Sequence, residues 1–216
     1  MFNFFVVNGY PRSGKTFFGE LVGEAIGNRG CHFAHLSSIT PIKILLRPQE
    51  LWDPRDIDTS LWAELEELKR TITKFDWDGE TKDEYWRATM FDLKHALTEK
   101  KPDFIHHWVY TRAQQLPEPR VIFVDIREPH NILAFEDYCL RQPGEHNLRK
   151  ILVESDVVEH PDNSADRNID LGLCDFRVLN YRLGKDPSES IALLKAEVVR
   201  FIDTELSFLA NEPESR

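Results

Sequence analysis

The chain has 216 residues and a mass of 25.3 kDa, enough for one well-buried domain and too few for two comfortable ones, so a single domain over residues 1–216 is expected. With 41% hydrophobic and 30% charged residues the composition is that of a globular protein, which excludes an intrinsically disordered chain. The formal net charge of -10, with no dense Lys/Arg block, disfavours generic binding to nucleic acid and leaves room only for a local basic pocket around one small anion.

In chain order, the first element is the apolar run Phe2 to Gly9, which reads as a buried strand entering a turn at Asn8-Gly9. Phe18, Leu21, Val22, Ala25 and Ile26 then recur at helical spacing, and Gly27-Asn28 supplies a stop. Cys31 to Ser38 predicts a second strand, and Pro41 is placed to begin a helix carrying Ile42, Leu45 and Leu46. Residues 48–80 break the pattern with Pro48, Pro54 and scattered acids before Ser60 caps a helix bearing Leu61, Leu65, Leu68 and Ile72; this reads as a helical insertion or movable arm. A helix over Lys82 to Glu99 puts Trp86, Met90, Leu93 and Leu97 on one face, and another spans residues 104–116. Arg120 to Glu128 holds the clearest internal strand, with four apolar residues delivering Asp125 to a sheet edge. Arg149 to Ser155 and Phe176 to Tyr181 give two more strands. Asp186-Pro187-Ser188-Glu189 then caps a helix with Leu194, Val198, Phe201 and Ile202 on one face. Alternation of strands and helices predicts a doubly wound α/β domain with a parallel sheet. Cys31, Cys139 and Cys174 are odd in number and far apart. With no signal peptide and no long apolar run, they fit a reduced cytoplasmic compartment and no membrane association.

One motif carries chemistry. Gly9-Tyr10-Pro11-Arg12-Ser13-Gly14-Lys15-Thr16 fits G-x-x-x-x-G-K-[ST] and lies between an apolar strand and an amphipathic helix, the context that pattern requires. Glycines let backbone N–H groups wrap an anion, and the helix N-terminus adds partial positive charge. Lys15 suits the β- and γ-phosphates of ATP, and Thr16 suits Mg²⁺. Asp125, at its strand end, suits the metal through water or a proton from the acceptor, and Arg127 two residues on suits a phosphate.

Together with "TPIK" at Thr40 to Lys43, the helix bearing Arg87, "VDIRE" and "DFRVLNY", this loop resembles phage-type deoxynucleoside monophosphate kinases and the related animal phosphomevalonate kinases. The resemblance implies a P-loop kinase fold with residues 48–80 as the monophosphate-binding arm and residues 156–170 as a small lid. It implies that Gly9, Lys15, Thr16 and the Arg12, Ser13 and Gly14 backbone hold ATP-Mg. Asp125 and Arg127 would serve metal and acceptor phosphate, and Lys43 and Arg87 would grip the acceptor. Asn180 would lie near the ATP base, and Arg167, the one lid arginine, would stabilise the transferred phosphoryl group. The expected activity is γ-phosphoryl transfer from ATP-Mg to a nucleoside monophosphate, a deoxynucleotide first, in a bacterial or phage-infected cell, with a homodimer left open. The rival readings are a kinase of the same fold acting on a hydroxymethylated base in phage DNA, and an NTPase whose output is a conformational switch. Cys31, His32 and His35 lack a second pair at zinc spacing, and His106-His107-Trp108 reads as a partly buried helix face, so neither receives a metal role.

Overall fold

The computed structural model describes residues 2–10, 12–46, 84–118, 120–157 and 171–207. The predicted arm at 48–80 therefore lies outside the described residues, as do residues 158–170 of the predicted lid, Arg167 among them. The described elements are β1 (Phe2–Asn8), α1 (Lys15–Gly27), β2 (His32–Ser37), α2 (Thr40–Leu46), α3 (Glu84–Lys100), α4 (Phe104–Gln114), β3 (Arg120–Asp125), α5 (Pro129–Arg141), β4 (His146–Ser155), β5 (Phe176–Asn180) and α6 (Pro187–Glu205), with a short 3₁₀ turn at Leu171–Leu173. The chain divides into two compact units, one of Met1–Leu36 with Leu116–Arg216 and one of Ser37–Gln115.

The first unit is built on a five-stranded parallel sheet in the order β2-β3-β1-β4-β5. β1 lies at the centre, paired in register with β3 (Val7 beside Asp125) and with β4 (Phe2 beside His146, Asn8 beside Leu152). All seven of its residues are buried, which is why its sequence is a continuous apolar run rather than an alternation. Alternate side chains still part to opposite faces. Phe5 and Val7 join Phe18, Val22 and Ile26 of α1 and Val198, Phe201 and Ile202 of α6 in one core. Phe201 sits at its middle, ringed by Phe5, Phe18, Phe123 and Phe176 with centroids 5.1 to 5.7 Å away. Phe4 faces the other way and meets Phe135 of α5 edge-on at 5.5 Å. That split follows from handedness: α1 carries the chain from β1 outward to β2 and α5 carries it back from β3 past β1 to β4, so two right-handed crossovers land on opposite faces.

Local signals account for several boundaries. Asp186 Oδ1 accepts the Glu189 N–H at 2.9 Å with Pro187 beginning the helix, the cap its sequence predicts. Along the outer edge of β5, the Leu179 N–H donates to Glu197 Oε2 at 3.3 Å and the Arg177 carbonyl accepts from Arg200 Nη2. Two side chains of α6 thus occupy groups that another strand would otherwise pair with. β4 begins three residues before the predicted start because its polar first half, His146 to Lys150, is recruited by register with β1; Asn147 Nδ2 donates to Asn3 Oδ1 at 3.4 Å. α5 was not among the predicted elements, although Pro129 at its start and the buried Ile132, Phe135, Tyr138 and Cys139 follow helical spacing.

The second unit packs α2, α3 and α4 around Ile42, Leu45, Leu46, Met90, Leu93, Leu97, Phe104 and Ile105, with Trp86 half-buried against them. The apolar faces predicted for α2 and α3 are the ones used. Among the described residues no helix is long and apolar enough to cross a membrane.

Candidate functional site

The glycine loop leaves the centre of the sheet and runs directly into α1. Gly9 departs with φ 145°, its N–H donating to Asn8 Oδ1 at 2.7 Å, and a side chain there would put a Cβ 2.2 Å from the Val153 carbonyl of β4. The chain turns back through a Ser13 N–H to Tyr10 carbonyl bond of 3.2 Å, with Arg12 in the left-handed region at φ 59°. Gly14, at φ 98°, is the residue before the helix, and no side chain caps the first turn. The leading N–H groups of α1 have no acceptor inside the helix, the kind of end that can receive an anion. Lys15 folds back over the loop, its Nζ donating to the carbonyls of Gly9 at 2.8 Å and Tyr10 at 2.7 Å. Thr16 and Arg12 are exposed, whereas Ser13 is buried with no hydrogen-bond partner for its Oγ.

The ends of three other strands brace this loop. From β5, Asn180 is buried and its Nδ2 donates to the Ser13 carbonyl at 2.9 Å. The resemblance puts Asn180 near the base of ATP; in the structure its amide braces the loop backbone. The turn after β5 adds a second brace, Arg182 Nη1 to the Arg12 carbonyl at 3.1 Å. Asp156, just past β4, holds that turn by accepting the Arg182 N–H at 2.6 Å and the Leu183 N–H at 3.1 Å. Burial works against ionisation of Asp156, yet the Arg182 and Leu183 N–H groups hold its carboxyl below the usual carboxylate range. From β3, the Arg127 carbonyl accepts Asn8 Nδ2 at 3.2 Å, tying the exit of β3 to the start of the loop.

Asp125 ends β3 next to β1, as its strand predicts, and its Oδ1 lies 2.9 Å from Nε2 of His35, which is within β2. Arg127 is exposed two residues beyond. The first unit therefore gathers Gly9, Arg12, Ser13, Gly14, Lys15, Thr16 and Asn180 at the loop and Asp125 and Arg127 at the adjoining strand end. Lys43 lies on α2 in the second unit, half-buried; Arg87 lies on α3 in that unit, with its side chain outside the described residues. The hydroxyl of Thr16 and the carboxylate of Asp125 are hard oxygen donors of the kind Mg²⁺ takes, and a hydrated Mg²⁺ shared with phosphates needs only one or two carboxylates. Among the described residues no group of three or more His, Cys, Asp or Glu gathers at one place.

Sequence reasoning missed Asn8, His35, Asp156 and Arg182. None carries a motif. Each acts on a partner 26 to 170 positions away, as in Arg182 with Asp156 and with Arg12, so only the strand order brings them into contact.

No family model and no curated protein matches this chain. Among solved structures, the BmCPV RNA-dependent RNA polymerase at quiescent state matches with TM-score 0.36 and 14% identity over 97% of this chain. The same polymerase at elongation state matches with TM-score 0.35 and 15% identity over 91% of this chain. The chain spans 42% and 38% of the length of those two chains, and overlap at this TM-score carries no conclusion about fold or activity.

Proposed function

We propose that the protein is an ATP-dependent phosphotransferase that moves the γ-phosphoryl group of ATP-Mg to a nucleoside monophosphate, a deoxynucleotide first. The observation that carries this reading is the glycine loop: an uncapped helix N-terminus, a left-handed Gly14 and Lys15 held over the Gly9 and Tyr10 carbonyls. A bound nucleotide would draw the ammonium from two neutral carbonyls onto phosphate oxygens, a stronger charge-assisted exchange. The leading N–H groups of α1 would take the remaining phosphate charge. Mg²⁺, when bound, supplies neutralisation between the phosphates; Thr16 and Asp125 are the residues suited to it.

Arg127 stands at the same strand end as Asp125 and is the proposed contact for the acceptor phosphate, with Lys43, Arg87 and Arg167 as further candidate cations. Phosphoryl transfer needs little covalent chemistry from a protein, so positioning and charge neutralisation are the whole of this proposed mechanism. An acidic exterior does not oppose it, since a cleft can focus positive potential on a chain of net charge -10.

The test is a coupled ATP-to-ADP assay with Mg²⁺ across ribonucleoside and deoxynucleoside monophosphates, with hydroxymethylated DNA as a parallel acceptor and Lys15→Ala as control. The expected result is turnover that depends on one monophosphate and falls about 10²- to 10³-fold in Lys15→Ala with the fold intact. Transfer to DNA alone, or ATP consumption indifferent to any acceptor, would overturn it in favour of a DNA-base kinase or a nucleotide-driven switch.

A further inference from the structure

The contact between His35 and Asp125 has no place in the motif. We infer that His35 is a positioning residue: its ring holds Oδ1 of Asp125, fixing the carboxylate and leaving Oδ2 as the oxygen that serves the metal-nucleotide. This deepens the proposed function and rests on it for the nature of the ligand.

The geometry is specific. Nε2 and Oδ1 lie 2.9 Å apart between side chains 17% and 24% exposed, so the pair is largely withdrawn from water. The imidazole is fixed on its other sides too: Phe123 stands edge-on to it with centroids 6.0 Å apart, and Phe33 at 6.5 Å. The third wall is α1 itself. A Cβ on Gly19 would lie 2.6 Å from Nδ1 and 3.0 Å from Cε1 of His35, so the ring occupies the space that any larger residue would need. Glycine inside a helix is disfavoured relative to alanine, and here the missing side chain is what admits the imidazole. Gly19 is four residues after Lys15, hence on the same face of α1 one turn on. The ring therefore connects the first turns of the loop helix to the carboxylate at the end of β3.

A single partly exposed histidine–carboxylate contact contributes little to stability, so that contact's stability alone gives no reason to place a glycine in α1 for it. Orientation does give one. A carboxylate at a strand end rotates freely about its terminal bond unless one oxygen is held, and groups that hold a metal-serving carboxylate typically alter metal affinity or activity 10- to 100-fold when removed. An ionised carboxylate only accepts, so the arrangement needs a proton on Nε2, and that proton is its direct signature.

The experiment is a double-mutant cycle on the full chain, read by Mn²⁺ binding in the presence of ATP, followed by electron paramagnetic resonance, with turnover measured alongside. His35→Ala is expected to weaken Mn²⁺ binding about 10- to 100-fold, and His35→Ala with Asp125→Ala should bind no worse than Asp125→Ala alone. His35→Gln, whose amide can donate in the same place, should recover part of the loss. Gly19→Ala, which improves the helix while displacing the ring, should weaken Mn²⁺ binding as His35→Ala does; it decides the matter if His35→Ala fails to fold. Nitrogen NMR should report a proton on Nε2 of His35 in the wild type and a changed signature in Asp125→Ala.

Wild-type Mn²⁺ affinity in His35→Ala, or losses that simply add in the double mutant, would overturn the inference. So would a wild type that binds no Mn²⁺ with ATP. A wild type that binds Mn²⁺ with ATP yet phosphorylates no monophosphate would defeat the proposed reaction alone, and the cycle would still decide the role of His35.

Discussion

Replacing Gly14 by alanine and Asn180 by alanine, singly and together, isolates the brace under the glycine loop. At φ 98°, Gly14→Ala carries left-handed strain of about 1–2 kcal/mol. Its Cβ would also stand 2.4 Å from Asn180 Nδ2. Asn180 cannot swing aside cheaply, being buried and bonded to the Ser13 carbonyl at 2.9 Å, so overpacking adds about 1–3 kcal/mol. Asn180→Ala by itself leaves the Ser13 carbonyl without its donor, a loss of about 1–3 kcal/mol. Independent sites would give a double-mutant loss of about 3–8 kcal/mol. With alanine at 180 the overpacking disappears and only strain and the lost bond remain, so the double mutant should lose about 2–5 kcal/mol, a coupling of about 1–3 kcal/mol. Urea unfolding of the four proteins measures this through their midpoints, provided the slopes agree. Additivity to within about 0.5 kcal/mol would refute the claim that the two residues share one space.

Arg127→Ala should raise the Michaelis constant for the acceptor with ATP binding largely kept, because the bond tying this segment to Asn8 at the loop uses the Arg127 backbone carbonyl. Unchanged acceptor kinetics would remove Arg127 from the site. The clasp at Asp156 should depend on acid in a defined direction. Its carboxyl is held below the usual range, so the clasp is fully formed above the ordinary aspartate value and is lost only as pH falls through the lowered one. The Arg182 and Leu183 amide shifts, followed in an acid titration, should therefore move with a midpoint below that of an ordinary aspartate; a midpoint at or above it would refute the clasp.

What sequence determined by itself is local. A continuous apolar run had to be a strand buried on both faces, and β1 is one; the spacing of Phe18, Leu21, Val22 and Ile26 had to form a helix with one inward face, and α1 is that helix. The loop between them follows from its glycines and its lysine, since the conformations at Gly9 and Gly14 are properties of those residues. The cap at Asp186 follows from four consecutive residues. The helical period of α5 lies in its sequence too, although that helix is not among the predicted elements.

Tertiary structure decided the rest, because contacts across strands depend on sheet order, which no window of sequence encodes. Asn180 became a support for the loop because β5 lies beyond β4, whose Val153 carbonyl closes on Gly9. His35 met Asp125 because β2 and β3 are neighbours although 90 positions separate the two residues. By sequence alone, His35 is a histidine on a strand and Gly19 a glycine inside a helix. Only the crossover that lays α1 over those strands makes the glycine a seat for the ring and the ring a hold on the carboxylate.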